Sequence, residues 1–252
     1  MLTQTKISPK ARIAKTAVIG ENVEIGDNTE IRDFVVIRDN VKIGANNIIY
    51  PHVTIGEEPQ DRSFNNEISF VEIGDNNILR ENVTIHKASG LNAVTKLGND
   101  NFLMVGAHMA HNVQVGNGNT LANNVCLGGY VEVGNYTTFG GGAVVHQHCR
   151  IGDYVMLGGV SGVNQDLLPF FTYIGVPAGA VTSNRHGMKK HGFKQAELAE
   201  IMRAFKMIYE QKRSLTSIIE ILENQVSEKY SKILLDFIHA SKRSIVTHKY
   251  EK

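Results

Sequence analysis

The 252-residue sequence has no tryptophan, two cysteines, five prolines and almost no net charge, with 26 basic against 25 acidic residues. Two cysteines, Cys126 and Cys149, cannot build a disulfide framework, so a reducing compartment is expected. The balanced charge argues against a disordered polyelectrolyte and against nucleic-acid binding driven by bulk charge. No apolar run approaches the roughly 20 residues needed to cross a bilayer, so no integral membrane segment is expected. The start, Met1 to Pro9, has no apolar signal core, and the expected location is the cytoplasm. What the sequence has in surplus is 24 glycines and 22 asparagines beside a 42% hydrophobic content. Such a chain makes many turns around a regular apolar core.

The regularity is a period of six. Every sixth residue from Ile7 is isoleucine: Ile13, Ile19, Ile25, Ile31, Ile37, Ile43, Ile49 and Ile55. The register breaks, resumes at Ile73, Leu79 and Ile85, breaks again, and then runs from Leu97 through Leu103 and Met109 to Val163. Two residues before most anchors stands a small or β-branched residue, such as Ala17, Val23, Thr29, Val35, Val113 or Ala143. Gly often follows the anchor and Asn or Asp often comes three after it, types that tolerate turn conformations. A 3.6-residue helix cannot place every sixth side chain on one face. Six-residue units of strand and corner read as a parallel β-helix, with three units per triangular coil. One coil is then 18 residues, and residues 18 apart are neighbours roughly 4.8 Å apart.

The predicted solenoid covers residues 1–187, with loop insertions near 57–70 and 87–95. Insertions must leave the packed wall, and they often build a binding face. From about Lys194 the spacing becomes helical, through Leu198, Ile201, Phe205 and Ile208 and later through Ile218, Leu222, Leu234 and Ile238. Residues 188–252 are therefore expected to form an α-helical C-terminal domain that caps the solenoid. The near-zero charge averages two unlike parts. Residues 1–187 hold 13 basic and 17 acidic residues, and residues 188–252 hold 13 basic and 8 acidic, which suits an acidic partner for the tail.

The coil step also predicts where chemistry can sit. One coil beyond His111 is Gly129, and the next is Gln147. A histidine suits a general base near neutral pH, a glycine leaves its N–H open to an oxyanion, and a glutamine can hold a polar substrate. His108 shares the coil of His111, while His86 and His146 each follow an anchor. Zinc is the competing reading of His108-x-x-His111, with His86 or His146 as a third ligand. No ligand triad follows from the registers, so no metal is expected.

Several stretches together resemble a known family, the cytoplasmic UDP-N-acetylglucosamine O-acyltransferases that begin lipid A synthesis. They are Gly56-Glu-Glu-Pro-Gln-Asp61, Arg80-Glu-Asn-Val-Thr-Ile-His86, His108-Met-Ala-His111, Leu121-Ala-Asn-Asn124, Val145-His-Gln147 and Gly192-Phe193. The resemblance implies a left-handed winding of the β-helix and a homotrimer with active sites between solenoids. It implies transfer of a 3-hydroxyacyl group from acyl carrier protein to the 3-hydroxyl of the UDP-sugar, with no cofactor beyond the donor thioester. On this basis His111 is the general base and Gly129 the oxyanion donor. Asp61, His86, His108, His146 and Gln147 hold the sugar and its diphosphate, and Asn184, Lys190 and His191 meet the nucleotide. Gly159 stands where the family limits acyl length. The sequence departs from the family at Asn112 (usually Asp), Ser63 (Lys), Tyr130 (His), His186 (Glu) and the pair Lys190-His191 (two Arg). Alternative readings are a paralogue acting on another nucleotide-linked amino sugar, a metal-dependent hydratase, and a non-catalytic scaffold.

Overall fold

A computed structural model describes residues 4–210, 213–224 and 229–250. Short parallel strands stack into three sheets that form the faces of a triangular prism. The first face holds eight strands from Lys6–Ile7 to Arg150–Ile151, and the third holds eight from Val18–Ile19 to Gly162–Val163. The second runs from Arg12–Ile13 through ten strands to Gly179–Ser183, the last of them antiparallel. This is the expected left-handed parallel β-helix with C-terminal helices.

The anchors explain the prism. In each two-residue strand the second residue points inward, as strand alternation requires. From Ile25 to Val163 these anchors are buried, with Phe139 the largest among them. Each buried aliphatic side chain contributes roughly 1.5–3 kcal/mol, and the narrow interior has little room for tryptophan. Where the repeat is unbroken, partners step by 18 residues, as in Cys126 beside His108. The insertions lengthen the step without moving the wall: Val71 pairs with Val41, 30 residues back, and His108 with Thr84, 24 residues back.

The corners turn where the residue three after an anchor takes a left-handed conformation, as at Asn22, Asn40, Asn82 and Asn124. Asn tolerates this region better than β-branched or bulky residues do. Other corners place rings there instead, and the rings stack from coil to coil: Phe34 on His52, Tyr130 on His148, Tyr136 on Tyr154. At the corner between the first and second faces the interior also contains an amide ladder. Asn47, Asn77, Asn101 and Asn119 are buried, and the Oδ1 of each accepts the backbone N–H of the next rung.

Four helices follow: α1 (Arg185–Lys190), α2 (Gln195–Tyr209), α3 (Leu215–Glu223) and α4 (Lys229–Ala240). The short α1 runs across residue 187, earlier than the apolar spacing shows. The tail is tied back to the solenoid. Buried Asp166 accepts the Ser241 hydroxyl and the Arg150 N–H, and bridges join Asp166 to Ile245 and Ala180 to Lys249. Tyr173 and Tyr209 meet hydroxyl to hydroxyl at 3.1 Å beneath α2. No helix among the described residues is long and apolar enough to cross a membrane.

Candidate active site

His111 lies in the corner where the chain passes from the third face to the first, between the strands His108–Met109 and Gln114–Val115. Both insertions leave from this same corner of earlier coils. The predicted column is present: Tyr130 N–H donates to the His111 carbonyl, and His148 N–H donates to that of Gly129. A Cβ on Gly129 would come within 2.7 Å of His111 Nε2, so the ring lies across a surface that only glycine leaves clear. The Gly129 N–H makes no hydrogen bond among the described residues, as at equivalent corner positions of the coil.

The imidazole is nearly buried and held on two sides. Its Nδ1 is 2.9 Å from Asn112 Oδ1, and its ring meets the Tyr130 edge at 5.2 Å. Asp61, on the first insertion, accepts the Ser63 N–H and hydroxyl at 2.9 and 2.8 Å. These bonds, with a smaller contribution from His111, hold its carboxyl below the usual range. Ser63 therefore fixes the orientation of the Asp61 carboxylate.

His86 and His108 form a second pair, edge to face at 5.1 Å. His86 Nδ1 is 2.6 Å from the Glu58 carbonyl, and His108 Nδ1 is 2.7 Å from Thr84 Oγ1. Burial, reinforced by His86, lowers the His108 pKa to about 4, so it is neutral at pH 7. His146 and Gln147 are exposed two coils on from His111, with His146 Nδ1 3.1 Å from the Gln147 carbonyl.

The remaining predicted residues lie on other edges. His191 packs on Tyr136 at 4.3 Å and on Tyr154 at 5.6 Å, at the corner between the first and second faces. Lys190 ends α1 beside it and is exposed. Asn184 caps α1, accepting from Gly187 N–H at 3.0 Å while its Nδ2 donates to the Tyr154 carbonyl at 2.8 Å. A concavity of about 350 Å³ adjoins this edge, lined by Tyr154, Phe170, His191, Phe193 and Tyr230 among others. Gly159 is exposed on the third edge, where a Cβ would meet the Gly141 carbonyl at 3.2 Å. One chain thus brings Asp61, His86, His108, His111, Gly129, His146 and Gln147 to one edge and leaves Gly159, Asn184, Lys190 and His191 on others.

A concavity of about 1100 Å³ lies along the charged first face beside α4 and contains none of the predicted residues. Among the described residues no three of His, Cys, Asp or Glu converge as metal ligands. Sequence reasoning missed the contacts of Ser89 and Tyr130 with the His111 neighbourhood. A left-handed residue stacked one coil away was the available signal for Tyr130.

The family description "Udp N-acetylglucosamine O-acyltransferase; Domain 2" matches residues 166–246, and "Bacterial transferase hexapeptide (six repeats)" matches residues 4–39. A Fusobacterium nucleatum protein named acyl-[acyl-carrier-protein]–UDP-N-acetylglucosamine O-acyltransferase is 46% identical over 205 residues, covering 81% of this chain and 80% of that protein. A Gloeothece citriformis protein of the same name is 39% identical over 157 residues, 62% of this chain but only 57% of that protein. The crystal structure of a UDP-N-acetylglucosamine O-acyltransferase from Moraxella catarrhalis RH4 is 35% identical, covers 96% of this chain and 98% of its own, and superposes with a TM-score of 0.85. That of the Francisella novicida UDP-N-acetylglucosamine acyltransferase is 32% identical, covers 98% and 93%, and reaches 0.89.

Proposed function

The chain belongs to the UDP-N-acetylglucosamine O-acyltransferase family, and from that membership we propose that it transfers a 3-hydroxyacyl group from acyl carrier protein to the 3-hydroxyl of UDP-N-acetylglucosamine, the first step of lipid A synthesis. The observation that carries the mechanism is the placement of His111 Nε2 against Gly129, with Nδ1 engaged by Asn112. Nε2 takes the hydroxyl proton as the sugar oxygen attacks the thioester carbonyl. The tetrahedral oxyanion is met by the Gly129 N–H. The intermediate then collapses, the carbon–sulfur bond breaks, and the imidazolium returns its proton to the leaving carrier thiolate. Asp61, His86, His108, His146 and Gln147 hold the sugar and diphosphate, while Lys190 and His191, with Asn184 shaping the turn between them and the wall, meet the nucleotide. The reaction asks for no metal and no cofactor beyond the thioester, and it takes place in the cytoplasm.

The active assembly is a homotrimer. The outward residues of the first face are charged, including Lys42, Glu72, Lys96, Glu132 and Arg150. Those of the second, beyond the charged pair Arg12 and Glu30 of its first two strands, include Ile48, Ile78, Phe102, Thr138 and Met156, and those of the third include Val18, Val36 and Val144. Val18 and Val144 are 54% and 49% exposed in one chain, which favours burial against further copies. Three copies also bring the separate edges of His111, His191 and Gly159 to shared grooves. The basic tail supports the acidic carrier protein as the docking partner.

The test is turnover of 3-hydroxyacyl carrier thioesters with UDP-N-acetylglucosamine, read by mass spectrometry. His111→Ala is expected to lose about 10²–10⁴ in rate, the usual contribution of a general base. Full turnover in that variant ends the assignment of His111. If only a 3-amino analogue of the UDP-sugar is acylated, the acceptor differs, as the departures at Ser63 and Lys190-His191 allow.

A further inference from the structure

The second insertion reaches His111 through a single side chain. Asn112 sits at φ 61°, with its backbone N–H donating to Thr95 Oγ1 at 2.8 Å. Its Oδ1 lies 2.9 Å from His111 Nδ1 and also accepts the Ser89 N–H at 2.9 Å. Its Nδ2 donates to the Ser89 carbonyl at 3.1 Å. The two ends of a carboxamide are told apart by their partners. Here the partners leave one solution, because a backbone N–H only donates and a carbonyl only accepts. The atom facing His111 Nδ1 is therefore an acceptor, and a neutral imidazole meets it with its one proton on Nδ1. Nε2 is left as the lone pair, on the side of Gly129.

Ser89 is itself held. Ala88 beside it is fully buried, and its carbonyl accepts the hydroxyl of buried Ser69 at 2.5 Å. Lys87 N–H donates to the Glu57 carbonyl at 2.9 Å and Asn92 N–H to that of Ile68 at 2.8 Å, which ties the two insertions together. Gly90 turns the loop at φ 105°, a conformation in which an L side chain is strained.

We infer that the loop at residues 87–93 is the positioning element of the active site. Its Ser89 backbone orients the Asn112 amide, and Asn112 holds His111 in the Nδ1–H tautomer with Nε2 as the base. This rests on the reading of His111 as the general base. Asn112 is a positioning residue, and aspartate is not its equivalent in this chain. A carboxylate would accept from Nδ1 and from Ser89 N–H, but its second oxygen would face the Ser89 carbonyl oxygen and release the loop. Its charge would also raise the proton affinity of His111. Asp61 and Tyr130 are the other titratable groups that the structure sets against this ring.

The first measurement needs no variant. In protein labelled with ¹⁵N-histidine, the ring shifts of neutral His111 report which nitrogen is protonated, and the expected form is Nδ1–H alone. An Nε2–H ring in the wild type overturns the inference. Asn112→Ala is expected to mix the tautomers and lower kcat about 10–100-fold, the scale of a misplaced catalytic group, with KM for the UDP-sugar within about twofold. Asn112→Asp is expected to move the acid limb of kcat/KM upward by about one pH unit or more and to speed amide exchange at residues 87–93. Wild-type kcat and pH profile in both variants also overturn it. His111→Ala separates the two readings. If it is active, the base assignment falls; if it is inactive while Asn112→Ala is fully active, only the positioning inference falls.

Discussion

A methyl group on Gly129 would meet the ring of His111 at 2.7 Å from both Cε1 and Nε2. The ring has no cheap retreat, because Nδ1 is engaged by Asn112 and the Tyr130 ring lies at its side. Gly129→Ala is therefore expected to displace the base while leaving the buried wall intact. Steady-state kinetics should show kcat lowered about 10²-fold, the usual consequence of a misplacement of about 1 Å. Melting temperature should stay near that of the wild type. Full turnover in the variant would show that the proton is not removed at this ring.

His111 and His191 occupy different edges of the prism, so in the proposed homotrimer a groove that contains both takes them from different copies. The expectation is complementation. Trimers of His111→Ala alone are inactive, and trimers of the Lys190→Ala/His191→Ala double variant bind UDP-sugar poorly. Co-expressed and purified as mixed trimers, the two should recover activity, because some grooves then combine an intact His111 with an intact Lys190-His191 pair. Mixed trimers no better than the parents would place the whole site within one chain.

What could be read in advance follows from periodicity. The anchors from Ile25 to Val163 and the step from His111 to Gly129 are set by a repeat that local sequence carries in full. Asn47, Asn77, Asn101 and Asn119 were not legible. They stand two residues before an anchor, where the pattern calls for a small or β-branched residue. A buried carboxamide is tolerable only when the next coil satisfies it, and one coil's sequence does not show the next coil's amide. The Ser89–Asn112 contact was hidden for another reason, since an insertion has no period to extrapolate. Helix α1 has six residues, too few to display an apolar stripe, so Asn184 was readable as a polar residue but not as its cap.

The amide ladder makes its own prediction. Asn77 Oδ1 accepts from both the backbone N–H and the Nδ2 of Asn101, at 2.9 and 3.0 Å. Asn77→Ala leaves two buried donors without a partner, a cost of about 2–4 kcal/mol. Thermal unfolding should shift downward by several degrees. The proposed base, His111, lies at another corner, so kcat at 25 °C should stay within about twofold of the wild type. An unchanged melting point would mean that water or a shifted wall satisfies those donors.

His108 gives the fold a sensitivity to acid. Burial, then the nearby His86, lowers its pKa from 6.5 to about 4. Between these values the unfolded chain binds a proton that the folded chain does not, so stability rises with pH across that window. Its contribution is complete above about pH 6.5 and is lost as pH falls toward 4. His108→Gln keeps a polar side chain within reach of Thr84 Oγ1, 2.7 Å from Nδ1 in the wild type, and removes the titration. Melting temperatures of the two proteins from pH 7.5 down to 4.5 should therefore run together above about 6.5 and diverge below it, with the wild type falling faster. Curves that stay parallel throughout would show that His108 protonates as easily in the fold as outside it. In the proposed reaction the same neutrality bears on substrate: at pH 7 His108 would offer a diphosphate or sugar a hydrogen bond but no positive charge. Its replacement by Gln should then leave the salt dependence of KM for the UDP-sugar unchanged, whereas replacement of Lys190 should flatten it.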